Sequence, residues 1–185
     1  WLHFDPPQLI GSLDPEVTVT DAGGGWQRVR LVWNVPESRA QDELAIAFQL
    51  DTVPDFWWAP HLAPNEGDCI AQHVFRSPAL IATRGSEILA IVPDLDICGR
   101  SPGNPWFMDV DAPARTLWLG MSRTEIPEHV RYRKVPGMTF APGRVELGFF
   151  LTLYCDPETP SNPWGRVAPF LWERYGHPLF TQGQP

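Results

Sequence analysis

The run RVELGFFLTLYC, from Arg144 to Cys155, places Val145, Leu147, Phe149, Leu151 and Leu153 on one side of an extended chain and Phe150 and Tyr154 on the other. Apolar residues recurring at period two are the mark of a strand, because successive side chains leave opposite faces. Large apolar groups on both faces demand more: they predict a central strand with packing on each side of its sheet.

The same period recurs in shorter runs. In WQRVRLVWN, Val29, Leu31 and Trp33 share one face and Arg28 and Arg30 the other; in ELAIAFQLD, Leu44, Ile46, Phe48 and Leu50 share a face. Further strands are expected at about Val17 to Thr20, Gln72 to Ala82, Glu87 to Val92, Arg115 to Ser122 and Glu128 to Lys134, bounded by turn clusters such as DAGGG, TRGSE and GRSPGNP. TRGSE is short enough to close a hairpin. Helical periodicity is nearly absent, and only VAPFLWERYG is expected to make a turn or two, with Gly176 and Pro178 stopping it. The 21 prolines and 15 glycines suit short strands joined by tight loops. Eight or nine strands at this spacing predict an all-β fold, a two-sheet antiparallel β-sandwich over residues 1–156. Residues 157–185 read as an extended Pro/aromatic-rich C-terminal extension, a packing or linker segment leading to a possible further domain. It carries Trp164, Phe170, Leu171, Trp172, Tyr175 and Phe180, too many large apolar groups for a free disordered tail. On the outer face of the sandwich, Arg28→Glu or Arg30→Glu is expected to matter little.

Several function classes are disfavoured at once. With 185 residues one core is large enough to fold without disulfides or metal. A net charge of −8 repels a phosphate backbone, and the one basic run, Arg131-Tyr132-Arg133-Lys134, has no nucleic-acid motif beside it, so no nucleic-acid partner is expected. No apolar stretch reaches the roughly 18 to 20 residues of a membrane span, and a soluble protein is expected. The start Trp1-Leu2-His3-Phe4 resembles no signal peptide and reads as a mature form or an excerpt. Cys69, Cys98 and Cys155 are an odd number at wide spacings and form no CxxC motif; Cys98 and Cys155 are expected to be small buried hydrophobes. The compartment stays open, with a secreted or periplasmic location compatible with the sequence.

The residues that invite a binding role lie in DFWWAPHLAPNEGDCIAQHVFRSPAL, Asp55 to Leu80. A sugar platform needs flat aromatic faces with polar groups beside them. Trp57 and Trp58 supply the first, and His61, Asn65 and Asp68 the second, with His73 and Arg76 further along. The competing reading packs one Trp into the end of the sandwich. Two Asp-x-Asp pairs, Asp94 with Asp96 and Asp109 with Asp111, have the spacing of a hard-cation site, but turn chemistry accounts for them as well, and no metal or other cofactor is expected. Cys69 and His73 look like a thiol and a base without an orienting third group, and Ser77 is in no nucleophile elbow. Gly23 to Gly25 precede a strand, not a helix, and form a turn.

A strand-rich amino-terminal part, an aromatic loop and the exit segment WGRVAPFLWERYGHPLF together resemble the N-terminal β-sandwich domain of six-hairpin glycosidase-like bacterial proteins, in which the sandwich precedes an (α/α)6 toroid. The resemblance implies a carbohydrate-active enzyme whose catalytic acids belong to the toroid, with the sandwich supporting or rimming the active site. No catalytic residue is then expected in this chain, and the partner is a C-terminal catalytic domain of the same polypeptide. Two alternatives are an independent carbohydrate-binding module, using Trp57 or Trp58, and a small hydrolase or lyase using His61 and His73. The accessory-domain reading predicts an exposed apolar patch lined by Trp164, Phe170, Trp172 and Tyr175.

Overall fold

A computed structural model describes residues 2–3, 13–60, 68–72, 78–98, 100, 103–128, 131–156 and 162–183. Two six-stranded antiparallel sheets face each other. In the first the strands run in the order β1 (Leu2–His3), β5 (Glu43–Leu50), β11 (Thr116–Glu128), β10 (Trp106–Asp111), β7 (Asp68–Ala71) and β12 (Arg131–Val135). The long β11 pairs with β10 along its first half and with β12 along its second, and β7 pairs with both. In the second sheet the order is β2 (Glu16–Gly23), β3 (Trp26–Val35), β14 (Gly143–Cys155), β9 (Glu87–Pro93), β8 (Leu80–Arg84) and β6 (Phe56–Trp58). A small separate ladder joins β4 (Arg39–Gln41) to β13 (Met138–Phe140). No helix among the described residues is long and apolar enough to cross a membrane.

The alternation places the core. Val29, Leu31 and Trp33 of β3, Leu89 and Ile91 of β9, and Leu147 and Phe149 of β14 face Leu44, Ile46 and Phe48 of β5 and Leu117, Leu119 and Met121 of β11, all buried in one cluster. Phe48 and Phe149 meet edge to face across the two sheets at 5.1 Å. Gly120 of β11 lies close against β5, opposite Ala45: a Cβ there would lie 2.5 Å from both the Leu44 carbonyl oxygen and the Ala45 Cβ. Gly120→Ala is therefore expected to destabilise by about 1–3 kcal/mol through overpacking, read as a shifted urea midpoint, although alanine is otherwise the better strand residue.

The second face of β14 is covered too. Phe150 and Tyr154 belong to a separate buried cluster with Trp26, Ile81, Ile88, Ala90, Val92 and Val167, packed under the C-terminal segment. That segment is helical, not extended: α1 (Val167–Leu171), a π-helical turn (Trp172–Gly176) and α2 (His177–Gln182) follow one another without a break. Gly176 and Pro178 do not stop it. Pro178 occupies the first turn of α2, where a missing N–H costs little, and Gly176 lies against the Trp172 ring, which a Cβ would meet at 2.5 Å.

Other expectations need correcting. Gln72 to Ala82 is not one strand: β7 ends at Ala71 in the first sheet and β8 begins at Leu80 in the second, so the chain changes sheets between them. Gln72 instead bonds across the crossover, its Oε1 accepting from the Trp106 N–H at 2.9 Å and from the Cys98 thiol at 3.4 Å. Strand β6 forms where a loop was expected, and β10 is a strand that the alternation did not single out. Leu153 keeps the inner-face parity of β14 but is exposed, and Cys155 is exposed where a buried thiol was expected. Cys98 is half-buried and Cys69 buried, and burial pushes both thiols up to about 12.

Candidate functional site

The two tryptophans of the Asp55–Leu80 stretch sit on β6, an edge strand paired with β8. Period two sends them to opposite faces. Trp57 packs half-buried against the inter-sheet core, and Trp58 packs half-buried under the C-terminal segment, edge to face with Trp164 at 5.2 Å. Both rings are thus engaged with the protein, and Phe56 is the exposed member of the trio. His61, Asn65, His73 and Arg76 lie outside the described residues. Asp68 is buried on β7 with Arg133 at 3.4 Å. Cys69 beside it is held protonated by burial, which removes the nucleophile from the thiol–base idea.

The Asp-x-Asp pairs are separated into different sheets and spent locally. Asp94 follows β9, its carboxylate fully buried against Arg28, with Nε and Nη2 donating to Oδ2 at 2.8 and 2.6 Å. Its Oδ1 accepts from the Asp96 N–H at 3.2 Å, the turn chemistry that Asp favours. Asp109 on β10 accepts from the Val110 N–H and is held above the usual carboxylate range by burial, while Asp111 accepts from the Ala114 N–H. No group of three His, Cys, Asp or Glu able to hold a metal occurs among the described residues.

What the structure gathers instead is the seam where the C-terminal segment crosses the second sheet. Phe170 stacks on Trp26 at 4.2 Å and tilts against Phe150 at 5.0 Å. The Arg174 guanidinium lies 4.5 Å from the centre of the Phe150 ring, donates from Nε to the Tyr175 hydroxyl at 3.2 Å, and pairs with Asp96. The Tyr175 hydroxyl also accepts from the Leu95 N–H at 3.1 Å, and burial pushes it up to about 12, so it stays a neutral phenol. Tyr154 donates to the Pro163 carbonyl at 3.1 Å at the other end of the seam, under the Arg166 guanidinium. Sequence reasoning singled out Asp94, Asp96 and Tyr175 but not their pairing with Arg28 and Arg174. The only signal was an Asp-x-Asp pair at a turn, and nothing in it names a partner 66 or 78 residues away.

The clamped segment presents a second, outward surface. Trp172 is 52% exposed, Leu179 70% and Phe180 58%, and the Trp172 ring lies 6.2 Å from that of Phe180 and 6.2 Å from that of His177. Trp164, Phe170 and Tyr175, expected on the same patch, are half-buried and face the sheet. No family model matches the chain. No curated protein matches it either.

Proposed function

We propose that the chain is a non-catalytic β-sandwich module that supports a further domain of a larger, glycoside hydrolase-like carbohydrate-active protein, and that it meets that domain through the face of its C-terminal segment. The observation that carries this reading is the exposed Trp172, Leu179 and Phe180 group. Three large apolar side chains gathered on a segment that is itself fixed to the sandwich by stacked rings and the Arg174–Asp96 ion pair form a rigid apolar surface, the kind that marks a protein contact. The carbohydrate assignment rests on the resemblance of the sandwich and exit segment to six-hairpin glycosidase-like proteins. An independent sugar-binding module is less well supported, because the rings of Trp57 and Trp58 are already packed.

The intact mass of the native polypeptide from its source organism tests the reading against the 20.9 kDa of this chain. A much larger mass is expected. Within that longer protein, Trp172→Ser with Phe180→Ser is expected to loosen the sandwich from its neighbour, seen as a new protease-sensitive site between them. A native mass equal to that of this chain overturns the proposal.

A further inference from the structure

The outer face of β14 changes character along its length. Tyr154, Thr152 and Phe150 lie at the end where the C-terminal segment packs, whereas beyond Gly148 the same face carries Glu146 and Arg144. Arg30 reaches Glu146 from β3, and Arg100 reaches it from the loop after β9. Glu146 Oε1 accepts from Arg30 Nη2 at 2.5 Å and from Arg144 Nε and Nη2 at 2.8 and 2.7 Å; Arg100 Nη1 stands 3.6 Å from Oε2. Burial works against the carboxylate, but Arg144 and Arg30 outweigh it and hold the group below its ordinary range, so it is ionised at neutral pH.

One carboxylate among three guanidinium groups leaves a local surplus of positive charge in a chain whose net charge is −8. Each guanidinium carries five N–H donors, far more than one carboxylate can occupy. Arg30 Nε is buried with no acceptor among the described residues. Arg100 and Arg144 are exposed and line a pocket of about 180 Å³ that is also lined by Asn104, Thr139, residues 140–143 and Val145. Glu16 shares a row with Val32 and Glu146, but it lies on β2, two strands away. The volume is below the roughly 300–1,000 Å³ of sites for drug-sized ligands and suits a single charged group.

We propose that this pocket binds a tetrahedral oxyanion of the phosphate or sulfate kind, held by Arg100 and Arg144, with Glu146 positioning the two guanidinium groups. Planar forks of this kind match such oxygens with paired, charge-assisted hydrogen bonds. The site is independent of the accessory-domain reading, because neither the C-terminal segment nor Trp172 contributes to it.

Titration of the whole chain at low ionic strength with inorganic phosphate, inorganic sulfate and glucose 6-phosphate, followed by amide NMR, tests the site. Saturable shifts at Asn104, Thr139 and Arg144 are expected, and tighter binding of glucose 6-phosphate than of phosphate would identify an esterified group as the source. Arg100→Gln and Arg144→Gln are each expected to weaken binding about tenfold, and Glu146→Gln, which keeps an acceptor oxygen to position the arginines but removes the competing negative charge, to tighten it. Both arginines are exposed, so an unchanged thermal midpoint checks that the variants remain folded. Equal shifts with chloride at matched ionic strength, or wild-type affinity in the Arg100→Gln, Arg144→Gln double variant, would overturn the assignment.

Discussion

Phe149→Ala is expected to lower the unfolding free energy by about 3–5 kcal/mol, and Leu147→Ala by about 2–5 kcal/mol. Both side chains are fully buried in β14, between β3 and β9, and Phe149 sets its ring edge to face against Phe48 of the opposite sheet. Truncation removes apolar surface from the interior and leaves a cavity lined by residues of two sheets, which hydrogen-bonded strands relax into only partly. Urea unfolding should show a lower midpoint with an unchanged slope. Leu153→Ala, on the same strand face but exposed, is the internal control and should cost below about 0.5 kcal/mol. Costs that small for both Phe149 and Leu147 would mean that β14 is not the strand around which the core is built.

That contrast shows where reading from sequence ends. Alternation assigns Val145 to Leu153 to one face because the backbone alternates regardless of context, and the two-sheet architecture follows from enough such runs. It does not say how far the facing sheet extends, so Leu153 shares the parity of Phe149 and lacks its cover. The crossover near Gln72 was hidden for a related reason: a continuous polar and apolar run carries no mark of a change of sheet, and only the pairing of Asp68–Ala71 with β10 and β12 reveals it. The helical C-terminal segment was obscured by Gly176 and Pro178, which oppose a regular helix yet fit a π-helical turn built around Trp172 and the first turn of the next helix. At the candidate site, the aromatic content of the tail was legible, but which rings turn inward was not. Trp164 and Phe170 find partners on the second sheet, Trp58 and Trp26, that have no sequence proximity to them.

Arg28→Met is expected to cost about 3–5 kcal/mol, against the small effect that its outward parity suggests. Parity places Arg28 correctly, opposite Val29 and Leu31, but this outer face is not open water at that point. The Asp94 carboxylate has no exposure and takes two hydrogen bonds from Arg28, so removing the guanidinium leaves an ionised group buried without its counter-charge. Arg28→Glu should be worse, since it sets a second negative charge beside the first. The damage should also spread. Asp94 fixes the loop after β9 through the Gly148 carbonyl and the Asp96, Ile97 and Cys98 N–H groups, and that loop holds Arg174 and Tyr175. Loss of Arg28 is therefore expected to release the C-terminal segment before the sandwich unfolds, read as early proteolysis between Asn162 and Gly183 and as altered tryptophan fluorescence. Arg28→Met combined with Asp94→Leu separates the two contributions: if the loss comes from a stranded charge, the double variant should recover most of it, because apolar groups of similar size can replace a buried ion pair at little cost. A single Arg28→Met variant as stable as wild type would mean that Asp94 is solvated and that the seam is held by the ring stacking of Trp26, Phe150 and Phe170 alone.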